Sequence, residues 1–163
     1  MPRTPYVLRS SLWVPAPLEK VFPFFTDAHN LEDLTPPFLR FRVLTPDPID
    51  IREGALIDYR IGLHGIPMRW RTLISRWEPP HAFVDEQLQG PYTRWHHTHT
   101  FEPKDGGTLL GDRVEMIPKG WVLAPLVQKL FVARDVQRIF AYRLQRMTAH
   151  FGGDPSTGRV WFE

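Results

Sequence analysis

Two histidines, His97 and His99, stand two residues apart in a segment whose polarity alternates. In a β-strand residues i and i+2 point to the same face, so we expect both imidazoles on one side of a sheet. Asp112, on the following predicted strand, could approach them if the intervening hairpin keeps a compatible register. A carboxylate bound to one imidazole nitrogen would leave the other free to act on a ligand as acid, base or hydrogen-bond partner. The three residues are candidate catalytic residues, but polar contact with a ligand and simple bracing of the hairpin remain alternatives.

Two histidines and one carboxylate are also the ligand set of non-haem iron sites and some zinc sites. Histidines that alternate along a strand lack the specificity of a helical H-E-x-x-H motif, so we predict no metal site. The sequence contains no glycine-rich phosphate loop, no G-x-S-x-G elbow and no dinucleotide fingerprint. It therefore predicts no cofactor, and it disfavours nucleotide-dependent enzymes and serine hydrolases.

The elements that must position these residues begin with a strand, Tyr6–Val14, which stops at Pro15. Pro17 can occupy the first turn of a short helix, and Pro23 inside that helix is expected to kink or break it. A second short helix is predicted over Asn30–Leu34. A long helix from about Ala124 to Phe151, with apolar residues from Leu126 and Leu130 onwards at helical spacing, would measure about 40 Å.

Between the short helices and the long one, the pattern has period two and is interrupted by prolines and glycines. It predicts six more strands, approximately Leu39–Leu44, Ala55–Leu63, Met68–Trp77, Ala82–Leu88, Thr93–Glu102 and Thr108–Ile117. Short connections favour antiparallel neighbours. The fold class is therefore α+β, with a seven-stranded antiparallel sheet curved around a long C-terminal helix.

Alternation along these strands separates a polar face from an apolar one. The polar set is Arg40, Arg42, Asp58, Arg60, Arg69, Arg71, Arg94, His96, Thr98, Thr100, Arg113 and Glu115. The apolar set faces the long helix and includes Phe41, Val43, Ile57, Ile61, Met68, Leu110 and Val114. The residues of strand Ala82–Leu88 do not separate into a polar and an apolar face, so we make no prediction of which of them face the helix. The predicted ligand-binding residues are Tyr59, Trp70, Ile74, Trp95, His97, His99, Phe101, Asp112 and Met116. A solid core and a hollow one fit this pattern equally, because periodicity does not distinguish them.

Composition bounds the remaining possibilities. The 163 residues suit one domain, 13% are aromatic, and the net charge is +2 without any block of like charges, so nucleic acid is not an expected partner. The chain has no cysteine, which is compatible with a reducing cytoplasm, our expected location. It also has no signal-peptide pattern or long apolar run, so stable membrane insertion is not expected.

The predicted order of elements resembles the helix-grip fold of the START-like superfamily, also called SRPBCC. Val14-Pro15-Ala16-Pro17-Leu18-Glu19-Lys20-Val21-Phe22 is similar to its strand-to-helix opening, and Trp77-Glu78-Pro79-Pro80 and Trp95-His96-His97-Thr98-His99 look like a bacterial ligand-binding or cyclase/dehydrase-like subgroup. The resemblance implies a cavity between sheet and helix that holds a small hydrophobic molecule such as a lipid, a polyketide or another aromatic. It does not fix chemistry.

Three functions follow from this sequence. The first is binding or carriage of such a ligand by a single domain over residues 1–151. The second is a cofactor-independent polyketide cyclase or dehydratase in which His97 or His99 acts as acid or base, with Asp112 orienting it. The third is an interaction module whose C-terminal tail, residues 152–163, docks through Trp161 and Phe162 on a partner or on the second subunit of a homodimer.

Overall fold

The computed structural model describes residues 4–119 and 125–163, with residues 125–130 described through their backbone only. Three helices and eight strands follow the order β1, α1, α2, β2 to β7, α3 and β8. Their bounds are β1 Tyr6–Val14, α1 Leu18–Phe25, α2 Asn30–Leu34, β2 Arg42–Val43, β3 Leu56–Leu63, β4 Ile66–Glu78, β5 Ala82–Gln89, β6 Tyr92–Lys104, β7 Gly107–Pro118, α3 Pro125–Phe151 and β8 Arg159–Phe162.

The strands form one antiparallel sheet in the order β2-β3-β4-β5-β6-β7-β1-β8. The meander from β2 to β7 confirms the predicted topology, and β1 closes against β7 over its whole length. The sheet has eight strands where the sequence predicted seven. The additional strand is part of the C-terminal tail, which pairs with β1 from Leu8 to Ser11.

The predicted strand Leu39–Leu44 is wrong over most of its length. A 3-10 turn occupies Pro37–Leu39, and Arg40 adopts a left-handed conformation with φ 45°. An extended strand cannot pass through that conformation, so regular pairing with β3 is confined to Arg42–Val43. The first helix, by contrast, runs unbroken through Pro23 and ends two residues beyond it, at Phe25.

Alternation predicted the two faces of the sheet correctly. On β3, Ile57, Tyr59 and Ile61 are buried, whereas Arg60 between them is exposed. Helix α3, 27 residues long, packs against β1, β8 and α2 on the apolar side. Its buried side chains include Val136, Phe140, Leu144 and Met147. The side chains of Leu126 and Leu130, which the sequence placed in the same stripe, lie outside the described residues.

Among the residues that the structure describes, no helix is long and apolar enough to cross a membrane.

Candidate functional site

A cavity of about 180 Å³ lies between the concave face of the sheet and the helices. Strands β3 to β6 supply one wall, and the residues around α1 and α2 together with α3 supply the rest. Six of the nine predicted ligand-binding residues line it: Tyr59, Trp70, Ile74, Trp95, His97 and His99.

Phe101, Asp112 and Met116 were also predicted to contact a ligand, and the structure places none of them on the cavity wall. Phe101 is buried in the cluster that surrounds Phe22, and Met116 is buried against Val136 and Phe140. Asp112 lies behind the two histidines, with its side chain only 6% exposed. All three residues lie at strand positions that face the concave side, as predicted. They belong, however, to the part of the sheet on which helices pack directly.

Aromatic rings form much of the wall. The Trp70 and Trp95 rings meet edge to face with centroids 5.2 Å apart, and Tyr92 packs 4.9 Å from Trp95. Trp70 Nε1 donates a 3.0 Å hydrogen bond to Thr72 Oγ1, which satisfies its one polar atom. Burial raises the pKa of Tyr59 far above its usual value, so its hydroxyl is neutral at ordinary pH.

The polar part of the wall is a cluster of two histidines and two aspartates from neighbouring strands. His97 Nε2 lies 2.8 Å from Asp112 Oδ1, and His97 Nδ1 lies 3.5 Å from Asp85 Oδ2. His99 Nε2 lies 2.6 Å from Asp85 Oδ2, and His99 Nδ1 lies 3.4 Å from Asp112 Oδ1. Every imidazole nitrogen therefore faces a carboxylate, and the sequence-based expectation of a wholly free second nitrogen is wrong.

Packing fixes the orientation of both rings. The rings of His97 and His99 are in contact, with centroids 3.7 Å apart and planes tilted by 32°, and Phe83 stacks on His99 at 4.0 Å. Behind them Ser10 Oγ donates a 2.5 Å hydrogen bond to Asp112 Oδ2. A carboxylate held in this way, between a strand hydroxyl and the imidazoles, cannot reorient without leaving a buried polar group unpaired.

The two histidines have pKa values displaced in opposite directions. Burial, together with the positive charge of His99, holds the pKa of His97 below its ordinary value despite the nearby carboxylates. Burial also opposes charging of His99, but the hydrogen bonds and charges of Asp112 and Asp85 outweigh it and raise the pKa of that residue. The cluster therefore favours the charged form of His99 over the charged form of His97.

Arg143 on α3 also lines the cavity, and its side chain is only 9% exposed. Its Nη2 lies 3.9 Å from Asp112 Oδ1, too far for a hydrogen bond, and no described residue accepts a hydrogen bond from its Nε. Burial opposes ionisation of Asp112, but the Arg143 charge and the imidazoles keep the pKa of that carboxyl well below its usual range. The cluster therefore places one guanidinium and two imidazoles beside two carboxylates, and His99 is the imidazole that is more readily charged.

Asp85, His97 and His99 bring potential metal ligands within 4.8 Å of one another. The 2.6 Å separation of His99 Nε2 from Asp85 Oδ2 is a hydrogen-bond length, however, and leaves no room for a metal between those atoms. The positive charge of Arg143 on the same cavity further disfavours a divalent cation. The donor set fits a hydrogen-bonded cluster better than a metal centre.

Asp85 and Arg143 are the site residues that sequence reasoning missed. Asp85 lies on β5, whose facing could not be read because polarity does not alternate there: polar Asp85 and apolar Phe83 both line the cavity, whereas apolar Val84 lies between them. Arg143 lies on α3, and a charged residue on a helix normally indicates the solvated face. Its spacing, three residues after Phe140 and four before Met147, matches the buried stripe and was the available signal.

With the fold and cavity described, comparison with known families becomes informative. A family model described as polyketide cyclase / dehydrase and lipid transport matches residues 14–144, which is most of the chain. The chain belongs to this family. Comparison with functionally curated proteins returns no match.

Solved structures reproduce the polyketide cyclase / dehydrase and lipid transport fold at low identity. Protein CV1439 from Chromobacterium violaceum is 20% identical, with 92% of this chain and 100% of that chain covered and a TM-score of 0.67. A START superfamily protein from Mycobacterium smegmatis is 16% identical, with 90% and 97% covered and a TM-score of 0.61. The di-domain ARO/CYC StfQ of the steffimycin biosynthetic pathway is 17% identical, with 91% and 51% covered and a TM-score of 0.71. These likenesses support the helix-grip fold, and the family supports a role in binding hydrophobic ligands or in cyclisation.

Proposed function

We propose that this protein binds and carries a small aromatic molecule in the cavity between the sheet and α3. The observation that carries the proposal is a cavity of about 180 Å³ whose wall combines tryptophan and tyrosine rings with a compact polar cluster. Apolar pockets with a few placed polar groups are the usual form of small-molecule sites.

The volume sets the size of the ligand. An apolar cavity of about 150 Å³ holds one benzene molecule, and drug-sized ligands need roughly 300–1,000 Å³. A single substituted ring therefore fits this cavity. A long acyl chain or a multi-ring polyketide would require the sheet and α3 to move apart.

Equilibrium binding of a water-soluble ring such as benzyl alcohol tests this proposal. Ala28 lines the cavity and is 3% exposed, so Ala28→Leu should fill part of it and weaken binding at least tenfold. Ala55→Leu adds the same atoms at a half-buried position outside the cavity and should leave affinity within about twofold. Equal affinity in both variants, or no binding to the native protein, would contradict the proposal.

A cyclase or dehydratase is the second candidate, and one observation favours it. Neutral His97 donates from Nε2 to Asp112, and its Nδ1 is 3.5 Å from the nearest carboxylate oxygen, so this nitrogen is the best candidate for a general base. For this function, His97→Gln combined with His99→Gln should abolish turnover of a hydroxyketone substrate. A carrier with the same two substitutions should keep most of its ability to retain a ring.

A further inference from the structure

Arg143 places a permanently charged guanidinium inside a cavity lined mostly by apolar side chains. Its side chain is 9% exposed, and its Nε has no acceptor among the described residues. A buried charged donor without a partner is unfavourable, because no hydrogen bond offsets the loss of its hydration. Arginine residues at such positions are usually paired, so the missing acceptor needs an explanation.

Neighbouring carboxylates do not supply that acceptor. Asp112 directs its Oδ2 to Ser10 and its Oδ1 to His97, and it is 3.9 Å from Arg143 Nη2. Asp85 accepts from His99. The guanidinium instead lies 5.5 Å from the Phe140 ring, a weak contact that satisfies no hydrogen bond.

We propose that Arg143 forms an oxyanion subsite, and that the ligand of this protein is a single aromatic ring carrying a carboxylate. This inference rests on the proposed function, since it assigns the polar group of the same ligand. The ring would lie against the cavity wall formed by Trp70 and Trp95, and the carboxylate would accept hydrogen bonds from the guanidinium.

Charge balance gives the inference a second, measurable consequence. When His99 is protonated, Asp85 and Asp112 are offset by His99 and Arg143, and a bound carboxylate then adds one uncompensated negative charge to a buried site. Protonation of His97 restores neutrality. Its two nitrogens already face Asp112 and Asp85, so the imidazolium would find both acceptors in place.

The titratable groups that face His97 come from its own strand and from the two neighbouring strands. They are Asp85 on β5, His99 on β6 and Asp112 on β7, and Arg143 on α3 lies 3.9 Å from Asp112 in the same cluster. Ligand binding should therefore take up a proton, and affinity for a carboxylate that stays ionised should rise as pH falls from 8 to 6.5, by up to about tenfold per pH unit.

The test is calorimetric titration with benzoate and with benzyl alcohol, in buffers of different ionisation enthalpy. We expect benzoate to bind at least tenfold more tightly than benzyl alcohol, with uptake of a fraction of a proton approaching one. Arg143→Met should reduce the ratio of benzoate affinity to benzyl alcohol affinity about 10- to 100-fold, as expected for loss of a charged hydrogen bond. Arg138→Met, exposed on the same helix, is the matched control.

If Arg143→Met does not fold, the oxyanion subsite can still be tested with the native protein. The pH dependence of benzoate affinity and the proton uptake on binding are both measured without a variant. Benzyl alcohol binding as tightly as benzoate, or benzoate binding without proton uptake, would overturn the oxyanion subsite and leave the proposed function standing. Failure of both compounds to bind would overturn both.

Discussion

Asp112 lies directly opposite His99 across the β6–β7 ladder, yet the histidine to which it hydrogen-bonds, at 2.8 Å, is the diagonal one, His97. Asp85 shows the same relationship on the other side, since its register partner is His97 and its 2.6 Å hydrogen bond is to His99. The two crossed bonds join three strands through side chains. They couple the protonation of one histidine to that of the other.

Ser10 is expected to stabilise this arrangement from behind. Ser10→Ala removes the 2.5 Å hydrogen bond to Asp112 and should lower the free energy of unfolding by about 1–3 kcal/mol, measured in urea. Ser11→Ala, at the next position and therefore on the opposite face of β1, should cost no more than about 0.5 kcal/mol. Equal losses in the two variants would mean that the hydrogen bond to Asp112 contributes nothing specific.

Asp112 should be far more important to stability than a comparable carboxylate on the outer face. Asp112→Asn leaves His99 and Arg143 with a single buried counter-charge, and we expect a loss of about 3–5 kcal/mol in the free energy of unfolding. Asp58→Asn removes a carboxylate that pairs with exposed Arg71, and should cost less than about 1 kcal/mol. The contrast fails if the two variants unfold at similar urea concentrations.

His99 predicts a specific pH dependence of stability. Its pKa is raised in the folded protein, so its contribution is complete below the ordinary value of 6.5 and is lost as pH rises through the folded value. The free energy of unfolding should therefore fall above about pH 6.5. His97 has the opposite effect. Because its pKa is lowered in the folded protein, its contribution to the free energy of unfolding increases as pH rises towards 6.5.

Urea unfolding at successive pH values tests whether the free energy of unfolding falls above pH 6.5. The fall above pH 6.5 should disappear in His99→Gln and persist in His81→Gln, whose side chain is exposed on the β4–β5 turn. If the His99→Gln protein keeps the slope of the native protein, the assignment of the raised pKa to His99 is incorrect.

The β3–β4 turn is tied to α3 beside the cavity. His64 Nε2 lies 2.9 Å from Asp135 Oδ2, and the neighbouring residues Leu63 and Ile139 both line the cavity. His64→Ala should accelerate dissociation of a bound ring severalfold while changing the free energy of unfolding by less than about 1 kcal/mol. Exchange-rate measurements by NMR would show this, with Arg76→Ala, which breaks an exposed pair on β4, as control.

The tail offers a test of the interaction-module hypothesis. Val160 and Phe162 pack against the chain's own core, whereas Trp161 between them is 41% exposed. Val160→Ala with Phe162→Ala should lower the free energy of unfolding by about 2–4 kcal/mol without changing the elution volume in size-exclusion chromatography. A change of oligomeric state in Trp161→Ala would instead support docking on a partner.

Much of the fold could be predicted from sequence because alternation and helical spacing record which side of each element faces inward. That is why Tyr59 and Trp95 were predicted on the concave side, while Arg60 and Arg94 were predicted outside. The facing of Asp85 could not be predicted, because this polar residue shares the inward face of β5 with Phe83 while apolar Val84 lies on the other face, so polarity does not distinguish the two faces. Arg143 was missed for a different reason, since charge normally marks the solvated face of a helix.

The existence and size of the cavity lie beyond periodicity altogether. Phe101 and Ile74 both face inward and are both buried, yet only Ile74 borders the open space. The difference depends on the local separation of sheet and helices, which is set by the curvature of the whole sheet. The separation of sheet and helices therefore cannot be predicted from a short-range sequence pattern.

Binding of a ring between the sheet and α3 can be followed through the tryptophan indole N–H resonances of the native protein during titration with a single-ring ligand. Trp70 and Trp95 line the cavity, whereas Trp13 and Trp161 lie elsewhere on the described chain. We predict saturable shifts of the Trp70 and Trp95 signals with the Trp13 and Trp161 signals unchanged. Shifts spread over all four indoles, or no shift at Trp70 and Trp95 at saturating ligand, would contradict a ring bound between the sheet and α3.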